Sequence, residues 1–164
     1  MKPLPHPDNK HLEAAEGWLG LGDHLSASEE LEHISPAFMA HRRVLGVRLQ
    51  ISSMAKNWEA CIDLASTLLT LAPDNEWAWI KRSYALHELK RTQEAHDLLL
   101  PIEPKSPKNW VIPYNLACYA ARLNRLEEAE KWLKKALAID KETVKQEAID
   151  DPDLEPLRTK IGKI

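Results

Sequence analysis

Seven histidines, two cysteines and one run of carboxylates carry the most reactive side chains in this 164-residue chain. His6, His11, His24, His33 and His41 show neither an HExxH pattern nor an i, i+4 histidine pair, and no cysteine lies near them, so zinc-ligand spacing is missing. His87 and His96 fall on different predicted helices, and scattered surface histidines are the expected account. Cys61 and Cys118 lie far apart without a CxxC pairing and without a sequence-adjacent activator, which reads as two buried thiols. Asp150-Asp151-Pro152-Asp153-Leu154-Glu155 lacks calcium-loop spacing. It reads instead as a helix start, with Asp151 as N-cap, Pro152 at the first helical position, and Asp153 and Glu155 meeting the positive end of the helix dipole. No phosphate-cradling glycine loop and no GxSxG elbow is present. The expectation is a chain without catalytic residues, metal site or cofactor.

Composition agrees with a soluble globular domain. Hydrophobic residues make up 44% and charged residues 29%, which separates the chain from disordered sequences. A net charge of −3 leaves no electrostatic footprint for nucleic acid. No stretch approaches the roughly 18 apolar residues that would span a bilayer. Met1 to Pro7 lacks the apolar core of a signal peptide, so a cytoplasmic location is expected.

Helix signals run throughout. Pro3, Pro5 and Pro7 predict an extended start at 1–8, with Asp8 or Asn9 capping a helix from about Lys10. Gly20 and Gly22 end it, and a second helix is predicted from about Ser26 to Ile34. A further pair falls within Phe38–Ala72, with Asn57 as the N-cap between its helices. Another pair runs from Trp77 to Leu89 and from Thr92 to Leu100, after which Pro101, Pro104 and Pro107 predict a non-helical connection. The last pair covers about Asn109–Leu123 and Arg125–Ile139, with Pro113 tolerated in a first turn. Short helices are predicted over Thr143–Ile149 and from Pro152 to about Lys160.

Four segments repeat: Ser26-Ala27-Ser28-Glu29, Trp58-Glu59-Ala60-Cys61, Gln93-Glu94-Ala95-His96 and Glu127-Glu128-Ala129-Glu130. Ala27, Ala60, Ala95 and Ala129 are 33, 35 and 34 residues apart. A period near 34 marks stacked two-helix units that cannot bury their apolar faces alone. The fourth reads Pro113-Tyr114-Asn115-Leu116-Ala117-Cys118-Tyr119-Ala120, then Leu126-Glu127-Glu128-Ala129-Glu130 and Leu133-Lys134-Lys135-Ala136-Leu137. It closely resembles the tetratricopeptide repeat, in which a small residue of the first helix (Ala117) packs on an alanine of the second (Ala129). The third unit matches through Trp79, Ser83, Leu86, Ala95 and Leu99. The second matches through Val44, Val47, Ile51, Ala60 and Leu64, and the first more loosely through Ala15, Trp18, Ala27, Leu31 and Ile34. Arg82 stands where an apolar residue is usual and Arg48 where a small one is usual. Either the register slips locally or these arginines snorkel.

The resemblance implies an all-α, right-handed superhelix: four helical pairs over about 9–36, 37–73, 74–107 and 108–140, capped by 141–164. It further implies a concave groove lined by the first helices. Carried over residue by residue, that groove holds Arg42, Leu45, Leu49 and Ser52, then Trp77, Ile80, Lys81, Tyr84 and His87, then Tyr114, Asn115, Cys118 and Arg122. Aromatics beside cations suit capture of a peptide, with basic groups selecting acidic partners and His87 able to make capture pH-sensitive. The plainer alternative is that several of these aromatics pack on a neighbouring unit or on the C-terminal helix. Asn115 and Lys81 sit where a carboxylate clamp of this family would want them, but Leu45, Leu49 and Ile80 occupy positions that such a clamp fills with basic or amide side chains. The function expected is a protein-protein interaction scaffold that binds no nucleic acid or membrane. The alternative is self-association as a homodimer through end faces or the C-terminal helix.

Overall fold

The computed structural model describes residues 3–158. Every regular element among them is helical. The chain divides into two compact units between Lys81 and Arg82.

The first unit holds α1 (Asp8–Gly20), α2 (His24–Glu32), α3 (Arg42–Met54) and α4 (Trp58–Leu71), with a 3-10 turn at Pro36–Phe38. α5 (Glu76–Glu88) begins in this unit and ends in the next. Three of these starts have a side-chain cap from Asp23, Asn57 or Asn75, whereas α1 starts at Asp8 without the cap expected from Asp8 or Asn9. Asp23 accepts from the amides of Leu25 and Ser26 at 3.1 and 3.0 Å, and Asn57 from that of Ala60 at 3.3 Å. Asn75 accepts from the Ala78 amide at 3.0 Å. Each side chain thereby satisfies an amide that the first helical turn leaves open. Leu4, Leu12, Ala15, Ala27, Leu31, Ile34, Val44 and Val47 form the core. Asp8 accepts hydrogen bonds from the amide and hydroxyl of Ser35 and so ties the start of α1 to the end of α2.

The second unit holds the end of α5, then α6 (Thr92–Leu99), α7 (Val111–Arg122), α8 (Leu126–Ile139) and α9 (Lys141–Asp150). Two 3-10 segments, Leu100–Lys105 and Pro152–Leu157, contain prolines that an α-helix interior would reject. The connection after α6, predicted as non-helical, is therefore partly 3-10. The final predicted helix is also a 3-10 segment over the described residues. Asp151 does cap it, accepting from the Asp153 amide at 2.8 Å, but Pro156 limits propagation. The predicted continuation through Thr159 and Lys160 lies outside the described residues.

The repeat is stricter than the alanines suggested. The backbone is left-handed at Gly22 (φ 82°), Lys56 (55°), Lys90 (65°) and Asn124 (60°), each 34 residues after the last. The next amides, of Asp23, Asn57, Arg91 and Arg125, donate to the carbonyls of Trp18, Ser52, Leu86 and Ala120 at 2.8–3.0 Å. Four identical Schellman-type closures thus end the first helix of every pair.

Counted from these turns, the facing residues are Ala15 with Ala27, Leu49 with Cys61, Ser83 with Ala95, and Ala117 with Ala129, all at most 1% exposed. The small residue of α4 is therefore Cys61, not Ala60, which is only half-buried. Close approach of two helices requires a short side chain at the crossing, and a thiol meets that need as well as a methyl group. The shift corrects the second unit by one position. Leu45 and Leu49, read as lining, are 3% and 0% exposed and belong to the packing of that pair. The positions equivalent to Trp77, Ile80, Lys81 and Tyr84 are Arg43, Gly46, Val47 and Gln50. Arg82 keeps its register; it is half-buried, and its Nε is enclosed without a hydrogen-bond partner.

Candidate functional site

In the first unit, α5 begins with Trp77, Ile80 and Lys81. Trp77 is 36% exposed, and Lys81 Nζ stands 5.9 Å from the centroid of its ring. Lys81 also donates to Ser53 Oγ at 3.1 Å. Burial depresses the Lys81 ammonium pKa, while the Cys61 thiolate would oppose that shift. Burial likewise lifts the Cys61 thiol to about 11, which keeps it protonated at neutral pH. Arg42 is exposed and lines a cleft of about 540 Å³ with Arg43, Gly46, Leu68 and Trp77. A larger cleft of about 670 Å³ lies among α2, α3 and α4; Leu45 and Arg48 line it.

The second unit brings together His87, Tyr114, Cys118 and Arg122, and places the chain's own C-terminal segment on them. Tyr114 Oη donates to Asp151 Oδ2 at 2.7 Å, and Cys118 Sγ approaches the same oxygen at 3.5 Å. His87 Nε2 donates to Asp153 Oδ2 at 2.9 Å, while Arg122 Nε reaches Asp153 Oδ1 at 3.4 Å. Leu154 and Leu157 complete the contact, at 0% and 1% exposure. Asn115 is half-buried on the same helix, and Tyr84 is 40% exposed.

The electrostatics follow from this seating. Desolvation pushes the Asp153 carboxyl upward, but the His87 hydrogen bond and the charges of His87, Arg122 and Lys90 outweigh it and hold the group below its ordinary value. An ionised carboxylate only accepts, so the His87 proton sits on Nε2, and Nδ1, 3.0 Å from Thr92 Oγ1, takes that hydroxyl's proton in the neutral ring. The ring also lies 4.9 Å from that of Tyr119, whose hydroxyl is 3.2 Å from Ser83 Oγ. Burial, followed by the hydrogen bond to Asp151, raises the Tyr114 phenol. Burial, followed by the charges of Asp151 and Asp153, raises the Cys118 thiol. Tyr84 is pushed up to about 12, by burial first and by Glu88 next.

The histidines are less superficial than their spacing suggested. His87 and His96 are 6% and 3% exposed, and each meets a carboxylate; His96 Nε2 lies 2.9 Å from Glu128 Oε1. Among the described residues no three His, Cys, Asp or Glu side chains are grouped to hold a metal ion. Nor is any helix among them long and apolar enough to cross a membrane. The contacts that sequence reasoning missed are those of Asp151 and Asp153 with α7 and His87. Their signal, the carboxylate cluster itself, was accounted for as helix capping alone.

Residues 114–143 match the tetratricopeptide repeat family model. No curated protein sequence matches the chain significantly. MamA from Desulfovibrio magneticus RS-1 superposes with a TM-score of 0.76 at 14% identity, over 98% of this chain and 96% of that one. A thermophilic TPR protein from Thermus thermophilus superposes with a TM-score of 0.73 at 18% identity, over 95% and 84% of the two chains. MamA from AMB-1 gives 0.72 at 17% identity, over 96% and 91%. A tetratricopeptide repeat is thus present at residues 114–143. The fold class of the chain is the all-α helical solenoid that these structures share. Within it, the α7/α8 tetratricopeptide unit matched by the family model is the one whose first helix carries Tyr114, Cys118 and Arg122.

Proposed function

We propose that this chain is a tetratricopeptide-repeat protein acting as a non-catalytic protein-binding scaffold, and that the first helices of its pairs receive a peptide segment of a partner. One observation carries the reading. Trp77, Lys81 and Tyr84 recur at i, i+4 and i+7 on a single face of α5, with Trp77 and Tyr84 at 36% and 40% exposure. Large aromatics left at a surface beside a cation are the residue types that dominate binding hot spots. Lys81, beside the Trp77 ring, favours an acidic partner segment. The raised thiol pKa values argue against nucleophilic catalysis. Both cysteines are free and buried, which supports a reducing, cytoplasmic location.

The test is selection of peptides from a random display library on the intact protein, with re-measurement on Trp77→Ala and Tyr84→Ala. Affinity is expected to fall at least fivefold in one or both, with helical circular dichroism unchanged. Selected peptides that bind parent and both variants equally would remove α5 from the reading. Self-association remains the second reading, favoured by the seating of Asp151 and Asp153 on α7 and His87. The same contacts made between two copies would give a dimer.

A further inference from the structure

The segment 151–157 could serve only as a lid over apolar surface, and for that Leu154 and Leu157 would be enough. The wall beneath is built differently. Four polar side chains from α5 and α7 converge on two carboxylates set two residues apart. The Tyr114 and Cys118 hydrogens are directed to Asp151 and the His87 Nε2 hydrogen to Asp153, while the Arg122 guanidinium forms an ion pair with Asp153. Three of these four wall residues are buried: Tyr114 at 8%, Cys118 at 4% and His87 at 6% exposure. Buried donors that lack an acceptor are costly, so this wall needs carboxylate oxygens at those two places whichever chain supplies them. Trp110 sets the Tyr114 ring edge-on, with centroids 5.7 Å apart, and Thr92 and Tyr119 hold the His87 ring. The donors are therefore fixed before any ligand arrives.

We infer that His87, Tyr114, Cys118 and Arg122 form a receptor for an acidic turn of the form Asp-x-Asp-Leu. The chain's own Asp151-Pro152-Asp153-Leu154 is its resident occupant, and a protein partner presenting the same turn binds by displacing it. The inference rests on the proposed peptide-binding function and names the ligand class at one part of it. Charge complementarity sets the specificity. A lone carboxylate satisfies either Tyr114 or His87 with Arg122, and only two carboxylates at this spacing satisfy both. Because the resident is tethered, its effective concentration is of order millimolar, so a free competitor binds weakly until the resident is weakened.

The probe is a fluorescein-labelled synthetic peptide with the sequence Ile149–Arg158, titrated against the intact protein. Parent protein is expected to bind it weakly, and the double variant Asp151→Asn, Asp153→Asn at least tenfold more tightly. A probe carrying the same two changes should lose its binding to that variant. Equal affinity of parent and double variant for the unmodified probe, with both folded by circular dichroism, overturns the inference. Should the double variant fail to fold, parent protein decides. Excess unmodified peptide should speed amide hydrogen exchange across residues 153–158, and unchanged exchange overturns the receptor. A double variant that dimerises in light scattering and excludes the probe would show that a second copy is the occupant, which also overturns it. Display-selected peptides that depend on Trp77 or Tyr84 would still support the proposed function in all of these cases, so the two readings fail separately.

Discussion

His87 Nε2 and Asp153 Oδ2 lie 2.9 Å apart although 66 residues separate them in the chain. This bond joins the end of α5 to the C-terminal segment and fixes what the second unit offers to other molecules. His87 side-chain exposure is 7%, so the pair is shielded chiefly from the histidine side.

Acid should release the segment. Asp153 titrates below its ordinary 3.8, held there against desolvation by His87, Arg122 and Lys90; Asp151, Tyr84 and Tyr114 also face this region. A carboxylate with a lowered folded value contributes stability above its unfolded value, and that contribution fades as pH falls through the folded one. Asp153→Asn should therefore cost about 1 kcal/mol at pH 7, a figure already reduced for partial exposure, and progressively less as pH falls below 3.8 toward the folded value. Urea unfolding of both proteins at pH 7, 5, 4 and 3 checks this. A difference that stayed constant with pH would refute it.

The left-handed turns make a second prediction. Lys56 holds φ at 55°, where a Cβ is strained and glycine is not. Lys56→Gly should raise stability by about 0.5–1 kcal/mol, and Gly22→Ala should lower it by about 1 kcal/mol. Thermal unfolding of the two variants reads both signs at once.

The corrected register of α4 is directly testable. Cys61→Leu forces a larger side chain against Leu49 and should cost about 1–3 kcal/mol. Ala60→Leu, at a half-buried position lining the 670 Å³ cleft, should cost less than about 0.5 kcal/mol. If the two costs came out reversed, the alanine spacing would be the true repeat.

Thiol chemistry gives a fourth check. With Cys61 pushed up to about 11 and Cys118 raised well above its ordinary value by burial and neighbouring carboxylates, neither is an appreciable thiolate at pH 8. A colorimetric disulfide reagent should react slowly with the native protein and with both thiols once it is denatured. Rapid labelling of one native cysteine would contradict the burial described.

The paired helices were legible because helix formation and helix pairing leave local marks: Asn57 as a cap, Pro113 in a first turn, alanines where chains approach. The α4 register was misread because Cys61 does a small residue's work under another letter, beside an alanine that invited alignment. His96 was misplaced toward the surface, and the carboxylate that meets His87 in the groove position went unforeseen, because their partners, Glu128 and Asp153, lie 32 and 66 residues away. A carboxylate brought in by folding leaves no trace in spacing. The same holds for Asp151 and Asp153, whose capping role is written locally while their hold on α7 and His87 is not.

Asp151 uses its two oxygens for different tasks: Oδ1 receives the Asp153 amide, and Oδ2 receives the Tyr114 hydroxyl. Turning that carboxylate away from Tyr114 also undoes the start of the 3-10 turn, and with it the position of Asp153 under His87. Detachment of this tail is thus a single concerted event with a threshold, and graded loosening one contact at a time is not available to it.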